Sequence, residues 1–298
     1  MLSYRHGFHA GNHADIFKHL TLMLITQSLC KKEKPFCYFD THAGAALYSL
    51  DDEWALQTGE ADKGIKKMLE LSAGDKTQTA AENELILPYI SYCKKLYDEA
   101  VQYPGSPAIV SHFARRDDQL VLMELHNTEI ERLRANAEIL KKENAADIHV
   151  HHRNGFEGLI SMTPPKPPLP ARGFVLIDPS YETDSDYNDV ADTALAVNKK
   201  WSTGIICIWY PLIQNRSAEI EKLKASVIYR DIKTLNAELC VSKPKERGLY
   251  GSGMLIINPP WQLSDKLRQI LPQLAQILGE QGEGSFSVEV TEDEPSSN

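Results

Sequence analysis

The stretch Phe174-Val175-Leu176-Ile177-Asp178-Pro179-Ser180-Tyr181 holds four apolar residues that end in an acid, a proline and a polar pair. A short apolar run of this kind reads as a strand buried on both faces, and the Asp-Pro pair ends it. In an open α/β sheet, ligands bind beyond the carboxyl ends of the strands, so a carboxylate at position 178 faces a crevice. Working outward, Phe36 to Asp40, Leu120 to Leu125 and Gly204 to Tyr210 are runs of the same type, and Ile148 to His152 is a less apolar fifth. Asp15 to Leu29, Glu129 to Lys142 and Asp189 to Lys200 have helical spacing and fall between them. Strands alternating with helices predict an α/β sheet. Nearer the C-terminus, Leu235 to Ser242 and Met254 to Asn258 flank the basic, glycine-containing segment KPKERGLYGSG. They read as an antiparallel pair, followed by a helix over Asp265 to Leu278.

Three segments fall outside that alternation. Residues 49–101 are rich in Glu, Lys and Leu at helical spacing, which predicts a small helical insertion before the turn Tyr103-Pro104-Gly105-Ser106-Pro107. Five prolines between Pro164 and Pro170 exclude helix and interior strand, leaving a stiff loop that leads into Phe174. Residues 280–298 carry six acids and no Lys or Arg, and read as an acidic, solvated tail whose last seven residues are disordered. The expected division is therefore a main domain of 1–48 and 102–279, an insertion of 49–101 and a tail of 280–298.

Composition narrows the function classes. With 42% hydrophobic and 24% charged residues over 298 positions, the chain is neither disordered nor a membrane bundle. The longest nearly apolar run, Leu20 to Ile25, is too short to cross a bilayer, and the start has no signal-peptide segment, so a cytoplasmic protein is expected. Five scattered cysteines without a C-x-x-C pair argue for reduced, mostly buried thiols rather than a disulfide frame or a cysteine zinc site. The net charge of −9 argues at first against a nucleic-acid partner. However, residues 49–101 hold eleven acids against six lysines, and with the acidic tail they mask a mildly basic remainder.

The Asp178 tetrad suits one chemistry in particular. An amino group on a base or amide is a poor nucleophile because its lone pair is delocalised. A site that methylates it should accept hydrogen bonds from both N–H groups and clamp the plane with a ring. Asp178, the carbonyl of Pro179 and Tyr181 supply those parts in four residues. Phe39-Asp40-Thr41-His42-Ala43-Gly44-Ala45 is a strand running into a small-residue turn, which lets backbone approach a nucleoside-type ligand. It lacks the G-x-G-x-x-G fingerprint, which argues against an NAD-dependent dehydrogenase. Glu124 ends its own strand, where a carboxylate can accept from both ribose hydroxyls. His6, His9, His13 and His19, and the cluster His149, His151 and His152, have spacings that could pass for metal ligands. No cysteine or acid completes a standard pattern at the N-terminus, and no metal is expected.

Several motifs taken in order carry a resemblance: Ser3-Tyr4-Arg5-His6, His9-Ala10-Gly11-Asn12-His13-Ala14-Asp15 with Lys18-His19, Asp40-Thr41-His42-Ala43-Gly44, Tyr103 to Pro107, Ile177 to Tyr181, Trp209-Tyr210-Pro211 and Asn258-Pro259-Pro260-Trp261. This set resembles the bacterial large-subunit ribosomal RNA adenine N6-methyltransferases of the RlmJ type, over nearly the whole chain. The resemblance implies a Rossmann-like class I methyltransferase fold with a small helical insertion. It also implies S-adenosylmethionine as cofactor without metal, 23S rRNA as partner, and no membrane. It places His19, His42, Ser106, Glu124, Asn154 and Gly155 in the cofactor site with Lys18 beside it, and shares Asp178 between cofactor and target base. Tyr4 and His6 would touch RNA, and Asp178, Pro179 and Tyr181 would be catalytic. Two positions depart from the family pattern. Ser180 stands for a second proline, loosening the backbone at Pro179, and Asn154-Gly155 stands for Asp-Gly, where Asn still accepts and donates toward adenine.

A monomer is expected. The rivals are a methyltransferase for another amino group (DNA adenine, cytosine N4 or glutamine) and a non-catalytic RNA-binding protein of the same fold. RNA contacts are also expected from Lys243 to Arg247, with residues 280–298 dispensable.

Overall fold

The computed structural model describes residues 6–73, 84–144, 146–228, 232–245 and 248–291. Tyr4, Glu246, Arg247 and the EDEPSSN terminus lie outside them, as does the side chain of His6, whose backbone joins a 3-10 turn to Phe8.

The chain opens with α1 (His13–Cys30) and β1 (Cys37–Asp40). Then come β2 (Leu47–Ser49), the insertion helices α2 (Glu53–Thr58), α3 (Glu60–Lys63), α4 (Ile65–Ala73) and α5 (Leu87–Ala100), and β3 (Gln102–Pro104). Next are α6 (Ser106–Phe113), β4 (Gln119–Glu124), α7 (Asn127–Glu143), β5 (Asp147–His152), α8 (Gly155–Met162), β6 (Gly173–Ile177) and α9 (Asp184–Lys200). The last part holds β7 (Ile205–Leu212), α10 (Ser217–Val227), β8 (Thr234–Cys240), β9 (Gly251–Ile257), α11 (Leu263–Leu278) and β10 (Ser285–Thr291).

Eight strands form one sheet in the order β10-β8-β9-β7-β6-β1-β4-β5. The five strands from β7 to β5 pair in parallel, as the apolar runs predict, while β9 is antiparallel to both β7 and β8. From β1 the chain moves outward to β4 and β5, then returns to the other side for β6 and β7. The order therefore reverses between β1 and β6, and a crevice opens beyond their carboxyl ends. Asp40 sits opposite Leu176 across this pair, which brings the Thr41–Gly44 turn beside Asp178.

Helix α1 is buried from Ala14 to Thr26 on every side, because the sheet covers one face and α6 and α11 the others. A helix covered all round belongs in a core, and the polar side chains it carries there, Asp15, Lys18 and His19, are paired. Its start is fixed by Asn12, whose Oδ1 accepts from the Asp15 N–H at 2.9 Å, while Asp15 Oδ2 accepts from the Gly11 N–H at 3.0 Å. The insertion leaves and rejoins through the two-stranded β2–β3 ribbon, where Tyr48 faces Tyr103. This ribbon carries Ser106 back to the first loop: the Gly105 N–H donates to the Ala46 carbonyl at 2.8 Å. The insertion then docks on the N-terminal block, with the Ile65 N–H donating to the Gly11 carbonyl at 2.8 Å.

One expected boundary fails. Residues 285–291 are not a solvated tail but the edge strand β10, paired antiparallel with β8 from Ser285↔Cys240 to Thr291↔Thr234. Val288 and Val290 pack on the core, so the alternation Phe286-Ser287-Val288-Glu289-Val290 outweighs the acidic composition. All five cysteines are free, three of them buried. No helix among the described residues is long and apolar enough to cross a membrane.

Candidate active site

A cavity of about 620 Å³ opens at the reversal point, within the range usual for small-molecule and cofactor sites. One end is lined by His42, Ala43, Gly44, Ser106, Glu124 and His126; the other by His9, His13, Glu60, Trp209, Ile213 and Leu249. Lys18, Asp178, Pro179 and Ser180 also line it.

At the first end, Glu124 Oε2 accepts from the Gly44 N–H at 2.9 Å and Oε1 from the His126 N–H at 2.7 Å. The carboxylate thus ties the β1 and β4 loops together while facing the cavity. Gly44 adopts φ +57°, and a Cβ there would lie 2.1 Å from Tyr48 Oη, so the loop closes only over glycine. Gly155 matters for the same reason, since its Cβ would meet the Thr41 carbonyl at 2.0 Å. His42 Nδ1 is 2.8 Å from Thr41 Oγ1, and burial pushes its pKa down to about 4, leaving a neutral imidazole at neutral pH.

At the centre, Lys18 Nζ donates to Asp178 Oδ2 at 2.7 Å and lies 2.9 Å from Asp15 Oδ1. Burial works against the charge on Lys18, but the Asp15 and Asp178 carboxylates outweigh it and hold the ammonium above its ordinary pKa. Beneath them Asp40 is wholly buried, accepting from Tyr38 Oη at 2.6 Å and from the His42 N–H at 3.2 Å. Burial, reinforced by Asp178, raises its pKa to about 7.

The sequence-derived set is only partly gathered. His42, Ser106, Glu124, Lys18, Asp178 and Pro179 converge on the cavity. The side chain of His19 does not line it: its Nδ1 lies 2.9 Å from Tyr103 Oη in the interior, and the Tyr103 hydroxyl continues to Tyr89 at 2.8 Å. Asn154 caps α8, its Oδ1 accepting from the N–H groups of Phe156 and Glu157, so that oxygen is already committed. Tyr181 corrects the expectation of a base clamp. Its ring is buried against Tyr187, with centroids 4.6 Å apart, and its hydroxyl donates to the Trp209 carbonyl at 2.7 Å. Its φ of +53° is a left-handed conformation, rare for a bulky residue, held by that buried bond.

Trp209 and Tyr48 are aromatics on the cavity wall, and it is Trp209 that lies beside the Lys18–Asp178 pair, with Lys18 Nζ 5.6 Å from its ring centroid. Its place in Trp209-Tyr210-Pro211, at the end of an apolar strand, was the available signal. Trp209 Nε1 and His13 Nε2 are buried without a protein partner among the described residues, consistent with a polar ligand in this cavity. Asn258-Pro259-Pro260-Trp261 repeats the acid-or-amide, proline, aromatic pattern but follows β9 at the opposite end of the sheet, where Asn258 Nδ2 donates to the Ser202 and Gly204 carbonyls. Of the basic 243–247 segment, the described lysines are already engaged, Lys243 with Glu283 at 2.7 Å and Lys245 with Glu280 at 2.6 Å. Among the described residues, no group of three or more His, Cys, Asp or Glu could hold a metal ion.

Comparison with known proteins converges on one group. Residues 33–291 match the family model described as "Ribosomal RNA large subunit methyltransferase D, RlmJ". The Ribosomal RNA large subunit methyltransferase J of Haemophilus influenzae is 39% identical over 295 residues, covering 97% of this chain and 98% of that one. Its Escherichia coli counterpart is 38% identical over 291 residues, with the same coverage. A crystal structure of protein LPL1258 from Legionella pneumophila superimposes with a TM-score of 0.82 at 30% identity, covering 95% of this chain and 98% of that one. With the match spanning the crevice, the insertion and the edge strand alike, this chain belongs to the RlmJ family of ribosomal RNA large subunit methyltransferases.

Proposed function

We propose that the protein transfers a methyl group from S-adenosylmethionine to N6 of an adenosine in 23S rRNA, acting in the cytoplasm as a single chain that needs no metal. The observation that carries this reading is Asp178 at the reversal of strand order, with Oδ2 fixed by Lys18 and the residue lining a cavity of nucleoside size. The family match supplies the cofactor and RNA class.

The bound cofactor supplies an electrophilic methyl group. Glu124, with the Gly44 and Ser106 loops beside it, suits the ribose end. Asp178 would accept one N6–H through Oδ1 and the Pro179 carbonyl the other, directing the nitrogen lone pair toward the methyl carbon. As the N–C bond forms, nitrogen sheds one proton to Asp178, from which it passes to solvent. Lys18 positions Asp178 through the contact at 2.7 Å, leaving Oδ1 for the base. The flat face beside the base would be Trp209, with Tyr181 as its support. A base within a helix must be extruded to reach this depth.

The test uses purified protein, radiolabelled cofactor, unmodified 23S rRNA and a DNA oligonucleotide of equal length. The expected outcome is methyladenosine in RNA only. Asp178→Asn should fold normally and lose about 10²–10³ in rate, the usual cost of one preorganised electrostatic contact. Wild-type rates from Asp178→Asn would reduce the tetrad to a turn.

A further inference from the structure

Lys63 on the cavity wall and two further lysines, Lys243 and Lys245, are neutralised from within the chain by a pair of glutamates, one of which shares that wall. Lys63 ends α3, while Lys243 and Lys245 follow β8, so the cluster joins segments distant in sequence. They meet two carboxylates just ahead of β10: Lys245 Nζ is 2.6 Å and Lys63 Nζ 3.5 Å from Glu280, and Lys243 Nζ is 2.7 Å from Glu283. Lys63 and Glu280 both line the cavity. The backbone here is held independently of these side chains. The Glu280 N–H donates to the Val241 carbonyl at 2.6 Å and the Glu283 N–H to the Glu280 carbonyl at 3.0 Å, before β10 pairs with β8. The lysine side chains remain 50–80% exposed, so the pairs are weak and readily screened.

We propose that Lys63, Lys243 and Lys245 form a phosphate-binding rim for the RNA entering the site, and that Glu280 and Glu283 are internal stand-ins for phosphates, displaced as the strand arrives. This rests on the RNA reading above. A bare cluster of three lysines would hold any polyanion. With the carboxylates in place, only a strand that also makes the contacts deeper in the cavity repays their displacement, so competition supplies selectivity. The chain need not unfold for the exchange, because two glutamate side chains rotate off a fixed turn.

The experiment measures binding of a 23S rRNA fragment, one that the wild type methylates, across about 50–200 mM salt. Glu280→Gln/Glu283→Gln should bind about tenfold tighter at the low end. The gap should close as salt rises, because salt loosens the wild-type internal pairs along with the phosphate contacts. Adding Lys63→Met, Lys243→Met and Lys245→Met should abolish the gain. Glu138→Gln/Glu221→Gln removes two carboxylates paired elsewhere, with Lys141 and Lys224, and should leave affinity within about twofold. An equal gain from that control, or no gain from Glu280→Gln/Glu283→Gln, overturns the rim while methylation by the wild type leaves the RNA reading standing. No methylation and no RNA binding by the wild type would overturn both.

Discussion

Asp40 shows how a single residue couples the site to pH. Burial raises its carboxyl from 3.8 to about 7, with Asp178 adding to the effect and the Tyr38 hydroxyl opposing it. The folded chain keeps a proton there that the unfolded chain loses, so this group's contribution to stability declines as pH rises from about 4 to 7 and stays low above that. Asp40→Asn removes the burden, and its advantage in thermal melting should widen by about 2 kcal/mol or more between pH 5 and 8.5. A constant advantage would mean that Asp40 is ionised throughout. The two aromatics separate similarly. Trp209→Leu keeps apolar bulk but loses the flat face, and kcat/KM for RNA should fall by about 1–3 kcal/mol with cofactor affinity unchanged. Tyr181→Phe should instead lower stability by about 1 kcal/mol, through the bond to the Trp209 carbonyl. The opposite pattern would restore Tyr181 as the clamp.

At the scale of elements, β10 is decisive. It covers β8, which would otherwise be an open edge, and packs against α11. A chain ending at Thr291 should melt like the full-length protein. One ending at Gly279 exposes β8, loses the partial burial of Val288 and Val290, and should be less stable by about 2–4 kcal/mol and prone to aggregate. Equal melting temperatures for the two truncations would show β10 to be an ornament of the fold. The β2–β3 ribbon has a comparable role, since it brings Ser106 back beside the first loop, with the Gly105 N–H on the Ala46 carbonyl, after an insertion of some fifty residues.

The whole molecule gathers the N-terminal block, the insertion and the strand ends around one cavity. Glu60 of the insertion holds His9 Nδ1 and Asn12 Nδ2, each at 2.9 Å, and Asn12 caps the helix that carries Lys18. The hydrogen bond to Glu60 keeps His9 above its ordinary pKa despite burial. A ligand that binds only this assembled state stabilises all of it. S-adenosylmethionine at 100 times its Kd should therefore raise stability by about 2.7 kcal/mol, with chelator present and no metal added. A thermal shift that requires zinc would contradict the metal-free reading.

The sequence by itself determined the alternation of strands and helices, the stiff proline loop and the position of Asp178 at a strand end. Apolar periodicity and turn chemistry are local properties, and Phe174 to Tyr181 contains both. The signal for β10 was present in the alternation from Phe286 to Val290, but the six acids of residues 280–298 spoke for a solvated tail. Helices α6, α8 and α10 were not read from the sequence either, although each begins in or beside a turn. Only the tertiary structure decided that Lys18 meets Asp178 across 160 positions, that Tyr181 supports Trp209 from behind, and that Asp40 lies buried beneath the site. It also decided that the 280–283 carboxylates close on the basic segment. Each of these depends on which distant segments pack side by side, and the buried ones also on which groups lose water together.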